Sequence, residues 1–443
     1  MRSSTILCAL ALLCASGAVD AVRAQQPDST TRRDSTKRAP SDSAARADSI
    51  ARADSLFILQ QLQQGAPAEV APVPAATGTA GPSNPRLLPD VSAVGDLIAD
   101  LSPKGSTQED RTRFGVREIE VAIQAAVDPY FRGDVFLGLN DVEKVAIEQA
   151  YLTTTALPYG LEVRLGRFLM PVGKENTTHR HDLHTIEYPY VIQSFFGAEG
   201  LTGTGVYASR IFSPFGFYQE LQLTAVDRFG EAPEGLTIDP PVNRKLSGLG
   251  YSARLRNYWD LTQAANIELG ASAITGRRER VLACDVANPV NFTGCLGAAA
   301  RQTVAGLDLT YRWRPLQQGL YKSFMLQAEV MRQINGDPRL GPEIPTGFVP
   351  APSRDYDGAY VFGRYQLSQR LFVGSRYDDL QDPLASGSRL QAGSGYLEFW
   401  PSEFSKLVAG YEHRFNPAAV GDDVDRIILQ ASFAVGPHKP HPF

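Results

Sequence analysis

Six histidines occur in the 443 residues, and five of them fall in two short clusters. His179, His181 and His184 form H-x-H-x-x-H, His438 and His441 form H-x-x-H near the C-terminus, and His413 stands alone. Imidazole is a favoured ligand of zinc and copper, so His179 and His181 are candidates to meet one ion from an extended segment, with Asp182 or His184 completing the site. The competing reading makes them polar loop residues, since a short His-rich tract is only a compositional hint. Zinc is therefore the one cofactor in question, and the default expectation is none. Cys284 and Cys295 are read as a disulfide closing a small loop, because an even pair in an exported chain favours oxidation. Neither a G-x-S-x-G elbow nor H-E-x-x-H is present. No convincing carboxylate dyad on a rigid element stands out, and an enzyme is not expected.

The elements that must position these residues are β-strands. From about Val91 to Val435 the chain reads as about sixteen short amphipathic β-segments, joined alternately by tight turns and long polar loops. In Val116 to Asp128, Ile119, Val121, Ile123, Ala125 and Val127 share one face, while Glu118, Glu120, Ala122, Gln124 and Ala126 share the other. Tight turns are expected at Asp128-Pro129-Tyr130, Leu157 to Gly160, Ser213 to Gly216, Pro315 to Gly319, Ser368 to Arg370 and Pro401 to Glu403. Longer connections run over Leu169–Glu199, Arg228–Lys245, Gly276–Ala300, Asn335–Asp355, Gln381–Ser388 and Asn416–Asp423.

Lipid offers no hydrogen-bond partner to an open sheet edge, so a spanning sheet must close. The expected fold is all-β, a transmembrane antiparallel barrel of about sixteen strands, a number that leaves an aqueous channel. An even count puts both termini and the short turns on the periplasmic side, and the longer loops and disulfide outside. His413, in phase with Leu407, Ala409 and Tyr411, is expected on the barrel's outer face at the membrane interface. The last strand, Arg426 to Val435, turns Ile427, Leu429, Ala431, Phe433 and Val435 outward. That strand, or the terminal Phe443, is the feature offered to the barrel assembly machinery.

Residues 1–24 read as a signal peptide, with Arg2, the apolar run Ile6 to Leu13 and a small-residue site before Gln25. Leu12 and Leu13 directly before Cys14 disfavour lipidation. Residues 25–87 are a low-complexity Asp/Ser/Ala/Arg tail followed by a Pro/Ala linker. The tail is read as disordered, with a short helix over 43–64, or a weak trimeric coiled coil, as the alternative. Residues 88–443 form the barrel. Mean hydropathy is −0.18, and the one continuous apolar run, at the N-terminus, is too short to span a bilayer as a helix. A net charge of −5 and a pI near 5.8, without a basic stripe, argue against nucleic acid as a partner. The balance fits a Gram-negative envelope protein.

At Gly166-Arg167-Phe168-Leu169-Met170-Pro171-Val172-Gly173-Lys174-Glu175-Asn176, Ile186-Glu187-Tyr188-Pro189 and Gly200 to Val206, the chain resembles the phosphate-selective porins O and P. The resemblance covers Leu88 to Phe443. It implies a porin-type barrel in which the strand end near Leu169 leads into a loop folded into the pore, and it implies a homotrimer. A closer resemblance is to a branch often labelled zinc-regulated TonB-dependent outer-membrane receptors. The matching residues are Pro89 to Asp96, Ala125 to Tyr130, Asp308 to Pro315, Ser402 to Ser405 and Gly436 to Phe443. TonB-coupled transporters are barrels of about 22 strands with a plugged lumen. The segment before Val91 is too short and polar to fold as a plug, so the branch is read as plug-less.

The constriction is placed in the inward loop 169–199, lined by Lys174, Glu175, Asn176, Arg180, Asp182 and Glu187; a loop that merely caps the barrel is the alternative. By strand phase the lumen receives Arg164, Arg254, Arg256, Arg312, Arg364, Arg376 and Arg414, but also Glu118, Glu120, Glu148, Glu162, Glu220, Glu268, Asp308, Glu329, Glu398 and Glu412. Anion-selective rings need excess Arg or Lys, and this mixed set leans acidic. The expected function is an outer-membrane channel for passive diffusion of small hydrophilic solutes or ions, without phosphate selectivity. A metal-linked receptor or uptake barrel is the alternative.

Overall fold

The structure, a computed structural model, describes residues 89–108, 112–140, 144–227, 246–278, 281–283, 294–296, 300–336, 354–381, 389–415 and 423–436. Several expectations fall outside these residues: the signal peptide, the tail with its 43–64 helix, Cys284 and with it the disulfide, His438, His441, and most of the long loops.

The strands form because apolar and polar residues alternate with period two, and they pair into a wall because every backbone N–H and C=O then finds a partner. β1 (Asp90–Asp100), β2 (Phe114–Ala126), β3 (Phe131–Asn140), β4 (Lys144–Thr154) and β5 (Leu161–Leu169) follow one another round the barrel. β6 (Thr202–Phe212), β7 (Tyr218–Val226), β8 (Gly250–Thr262) and β9 (Ala265–Arg278) continue it. A separate two-stranded hairpin, β10 (Val281–Ala283) with β11 (Gly294–Leu296), lies in the next connection. The wall resumes with β12 (Ala300–Trp313), β13 (Phe324–Gly336), β14 (Arg354–Ser368) and β15 (Leu371–Gln381). It ends with β16 (Arg389–Ser402), β17 (Ser405–Phe415) and β18 (Val424–Val435). β18 pairs antiparallel with β1, from Ala93 opposite Val435 to Asp100 opposite Ile428, and this closes a barrel of sixteen strands.

The faces sort as the alternation requires. On β2, Ile119 is 37% exposed on the outside and Glu120 only 4% on the inside. On β18 the outward Ile427, Leu429 and Phe433 are exposed while Arg426 and Gln430 are buried. His413 is half-buried, meets Asp425 through Nδ1 at 2.8 Å, and packs edge-on against Phe415, in phase with the exposed Leu407 and Tyr411. One rim carries the tight turns. There Asp128 accepts backbone N–H bonds from Tyr130 and Phe131 at 2.7 and 2.9 Å, a side-chain-closed turn. The opposite rim carries the longer connections, with one short exception between β3 and β4.

Two β-bulges re-aim side chains. Asp96 lies opposite Glu118 and Leu97 opposite Val116, so Arg117 is an extra residue in β2. Phe136 lies opposite Gln149 and Leu137 opposite Ile147, so Glu148 is extra in β4. A bulge bends its strand and breaks the alternation. Arg117 and Glu118, and likewise Glu148 and Gln149, therefore both turn toward the interior.

Candidate functional site: the inward loop and the charged lumen

Residues 170–201, between β5 and β6, fold back inside the barrel. The loop has a neck: the Met170 N–H donates to the Leu201 carbonyl at 2.9 Å. Asn176, fully buried, donates to the carbonyls of Met170 and Leu201 and accepts the Leu201 N–H, at 2.9, 3.1 and 2.6 Å. Gly173 then turns the chain with φ of +69°, a conformation that favours glycine, and a Cβ there would stand 2.2 Å from Glu329 Oε2 of β13. Past two single 3-10 turns, α1 (Tyr190–Phe196) is buried along its whole length. Its residues join Leu183, Ile186 and Tyr188 in an apolar core with Met331, Tyr356, Phe362, Leu380 and Val408 of the wall. Part of the lumen is therefore packed like a protein interior.

Charged wall residues hold the loop by its backbone. Arg117 donates to the Ile186 carbonyl at 2.7 Å, Arg376 to that of Glu187 at 2.6 Å, and Lys406 to those of His181 and Leu183 at 2.7 and 3.0 Å. Glu329 accepts the Glu175 N–H at 2.7 Å, and Asp378 that of Tyr190 at 3.0 Å. The Tyr190 hydroxyl donates to Glu412 at 2.5 Å. These partners come from β2, β13, β15 and β17, so the loop is tied to the wall on several sides.

The six loop residues expected at the constriction occupy different places. Lys174 bonds Glu268 of β9 at 3.2 Å, and Glu175 accepts a hydrogen bond from Gln327 of β13. Arg180 and Glu187 pair with each other at 2.5 Å, with Arg117 also on Glu187 at 3.3 Å. Asp182 stands 3.5 Å from His181 Nε2. Asn176 is the neck staple and Glu187 is buried, whereas Lys174, Glu175, Arg180 and Asp182 keep part of their surface open.

The wall charges singled out in the sequence face inward, mostly as ion pairs. On β7 to β12, Arg256 pairs with Glu220 at 2.7 Å and Glu268 at 3.1 Å, Arg254 with Asp308 at 2.9 Å, and Arg312 with Glu268 at 3.8 Å. On β14 to β18, Arg364 pairs with Glu398 at 2.7 Å, Arg376 with Asp378 at 2.6 Å, and Arg426 with Glu412 at 3.4 Å. Arg164 meets Glu162 at 2.8 Å and lies over the Tyr151 and Tyr207 rings. On β2 and β4, Glu118, Glu120 and Glu148 converge, and His179 Nδ1 reaches Glu120 at 2.7 Å and Glu148 at 3.9 Å.

The histidine triplet divides. His181 lies beside His179, ring centroids 5.5 Å apart, but His184 turns away and stacks on Phe362 of β14 at 6.4 Å. The ligand set His179, His181 and His184 is thus not assembled, because successive turns of the loop aim the third ring at another wall. Residues that the sequence reading did not single out also act here, among them Arg117, Gln149, Asp378 and Lys406.

Burial, and then the Arg364 cation, hold the His184 imidazole down to about 3, against the attraction of Glu398 and Asp182 and with Lys406 adding to the repulsion. Its unfolded-state value is near 6.5. Between these values the unfolded chain binds a proton that the folded chain refuses, so stability falls as pH drops through this window. Burial disfavours the Glu187 carboxylate, but Arg180 and Arg117 outweigh it and hold it down to about 2, so its contribution is lost in turn below about pH 4.5. The loop is expected to loosen between pH 6.5 and 4, seen as growing current fluctuation in single channels. His184→Phe, which keeps the stack on Phe362, should flatten that response; an unchanged pH profile in this variant would refute the assignment.

No family model matches the chain. A protein of Aquifex aeolicus described only as uncharacterized is 26% identical over 413 residues, spanning 82% of this chain and 81% of that protein. Among solved structures, OprB of Pseudomonas putida is 9% identical over 78% of this chain and 94% of its own, with a TM-score of 0.49. The outer-membrane channel DcaP of Acinetobacter baumannii is 10% identical over 79% and 97%, with a TM-score of 0.48. OmpT of Vibrio cholerae, an outer-membrane protein solved in a trimer form, is 13% identical over 79% and 100%, with a TM-score of 0.45.

Proposed function

We propose that the chain is an outer-membrane channel of porin type, passing ions and small hydrophilic solutes by diffusion through a lumen narrowed by residues 170–201. The observation that carries this reading is a closed sixteen-strand barrel, apolar outside and lined by ionisable side chains inside, with one loop tied across it. An apolar exterior over paired strands suits lipid, and a charged interior suits water. Lys174, Glu175, Arg180, Asp182 and Glu148 are loop-level ionisable groups that keep some surface open and line the remaining passage.

The finer reading, phosphate selectivity of the kind the O and P porins imply, has less support. Most lumenal guanidinium groups already hold a carboxylate, which leaves little free positive charge for an anion ring. Weak selectivity follows. The tight turns belong on the periplasmic side, as the short turns of outer-membrane barrels do, and the barrel assembles as a homotrimer on the strength of the family resemblance. Native mass measurement in detergent tests the second.

Planar-bilayer recording of the refolded protein tests the main reading. Stable steps, smaller than an unobstructed sixteen-strand barrel would give, with a reversal potential near zero in a salt gradient, are expected. Failure of a correctly folded barrel to conduct would overturn it.

A further inference from the structure

We infer that Glu120, His179 and His181, backed by Glu118 and Glu148, form a site for a borderline divalent cation of the zinc class, fastening the inward loop to β2 and β4. One donor atom from each of Glu120, His179 and His181 lies within 4.8 Å of the others, and the same holds for oxygens of Glu118, Glu120 and Glu148. A tetrahedral ion with bonds of about 2.0–2.1 Å holds its ligands roughly 3.3 Å apart, so small side-chain shifts suffice. Two local devices bring the groups together. The β4 bulge supplies Glu148, and Gly138 leaves the space it fills, since a Cβ there would stand 1.9 Å from Glu148 Oε1.

The donor chemistry selects the ion. Three carboxylates this close, with Glu118 and Glu120 buried, repel one another unless a cation or protons intervene. Carboxylates alone would suit calcium or magnesium, but two imidazoles beside them favour zinc, nickel or copper(II). His179 and Glu148 each retain an exposed edge, which gives the ion a way in.

Gln149 tunes the competition between proton and metal. Its Oε1 accepts the Leu169 N–H at 3.0 Å, so its amide NH2 faces His179 Nε2 at 2.6 Å. That leaves the ring proton on Nδ1, directed at Glu120. When a metal takes Nδ1, the proton must sit on Nε2, and the Gln149 amide presents the wrong group to it. A carboxylate in its place would accept both the Nε2–H and the Leu169 N–H, completing the carboxylate–histidine–metal arrangement.

Calorimetric titration of zinc chloride into the refolded full chain should give one saturable site per chain. At least tenfold weaker binding is expected in Glu120→Gln and in His179→Ala/His181→Ala, unchanged binding in His184→Ala and in His438→Ala/His441→Ala, and tighter binding in Gln149→Glu. X-ray absorption at the zinc edge of the wild-type protein, which requires no variant to fold, should show imidazole scattering and light N/O ligands. Absence of saturable binding, binding that survives loss of His179 and His181, or binding lost with His438 and His441 would overturn the proposal. Calcium bound equally well without the two histidines would overturn it too. A barrel that binds zinc but never conducts would remove the channel reading and leave this one standing.

Discussion

Excising residues 172–199 and joining Pro171 to Gly200 through two glycines is expected to raise single-channel conductance on the order of tenfold, because sixteen strands enclose an aqueous channel once nothing fills it. The barrel should still close. β5 and β6 pair from Leu161 opposite Arg210 to Leu169 opposite Thr202, and the Met170–Leu201 hydrogen bond already brings the two ends of the loop together. The excision exposes Met331, Phe362, Leu380 and Val408 to water, so the variant is expected to be less stable. Selectivity should move as well. The removed segment carries two cations and four carboxylates, and its loss strips Lys406 and Arg376 of the carbonyls they hold. The lumen becomes more positive, and the reversal potential should shift toward anions. Conductance unchanged in a folded excision variant would show that the loop does not limit the current.

The barrel was legible in the sequence because lipid and lumen impose opposite demands on successive residues: Ile119 and Glu120 could not exchange places without putting a carboxylate in hydrocarbon. Turns marked by Gly or Pro were legible for the same local reason. The β8–β9 turn, which contains neither, was not singled out; the Thr262 hydroxyl closes it by accepting the Ala264 N–H at 3.1 Å. The bulges were also hidden. Arg117 stands in phase with Ile119 and Val121 and reads as outward, and only the pairing of Asp96 with Glu118 and Leu97 with Val116 shows that it is the extra residue. The loop read as polar from its charges, yet Val191, Ile192, Phe195 and Phe196 bury themselves through a helix of seven residues, too short for its periodicity to stand out. Glu120 could not be joined to His179 and His181 from sequence, since some sixty residues separate them and the contact depends on where the loop returns to the wall.

Arg117→Met should destabilise the barrel by about 3 kcal/mol or more, because it leaves a buried carboxylate without its cation. The Arg117 side chain is 5% exposed and that of Asp96 1%, and the two are joined by a hydrogen-bonded ion pair. Asp96 keeps the Gln430 amide at 3.0 Å and the Ser432 hydroxyl at 3.2 Å, which places the cost toward the lower end of that for breaking a buried pair. Methionine retains most of the apolar stem, so the loss is electrostatic rather than a matter of packing. Glu187 remains paired with Arg180, but the Ile186 carbonyl loses its donor, and the loop should fluctuate more on the β2 side. Urea unfolding in detergent reads the first effect and current noise the second. Adding Asp96→Asn to Arg117→Met removes the stranded charge while keeping acceptor and shape, and should recover most of the stability without quieting the loop. Equal stability of the single and double variants would show that the pair is not coupled and that the bulge holds Arg117 for the sake of the loop alone.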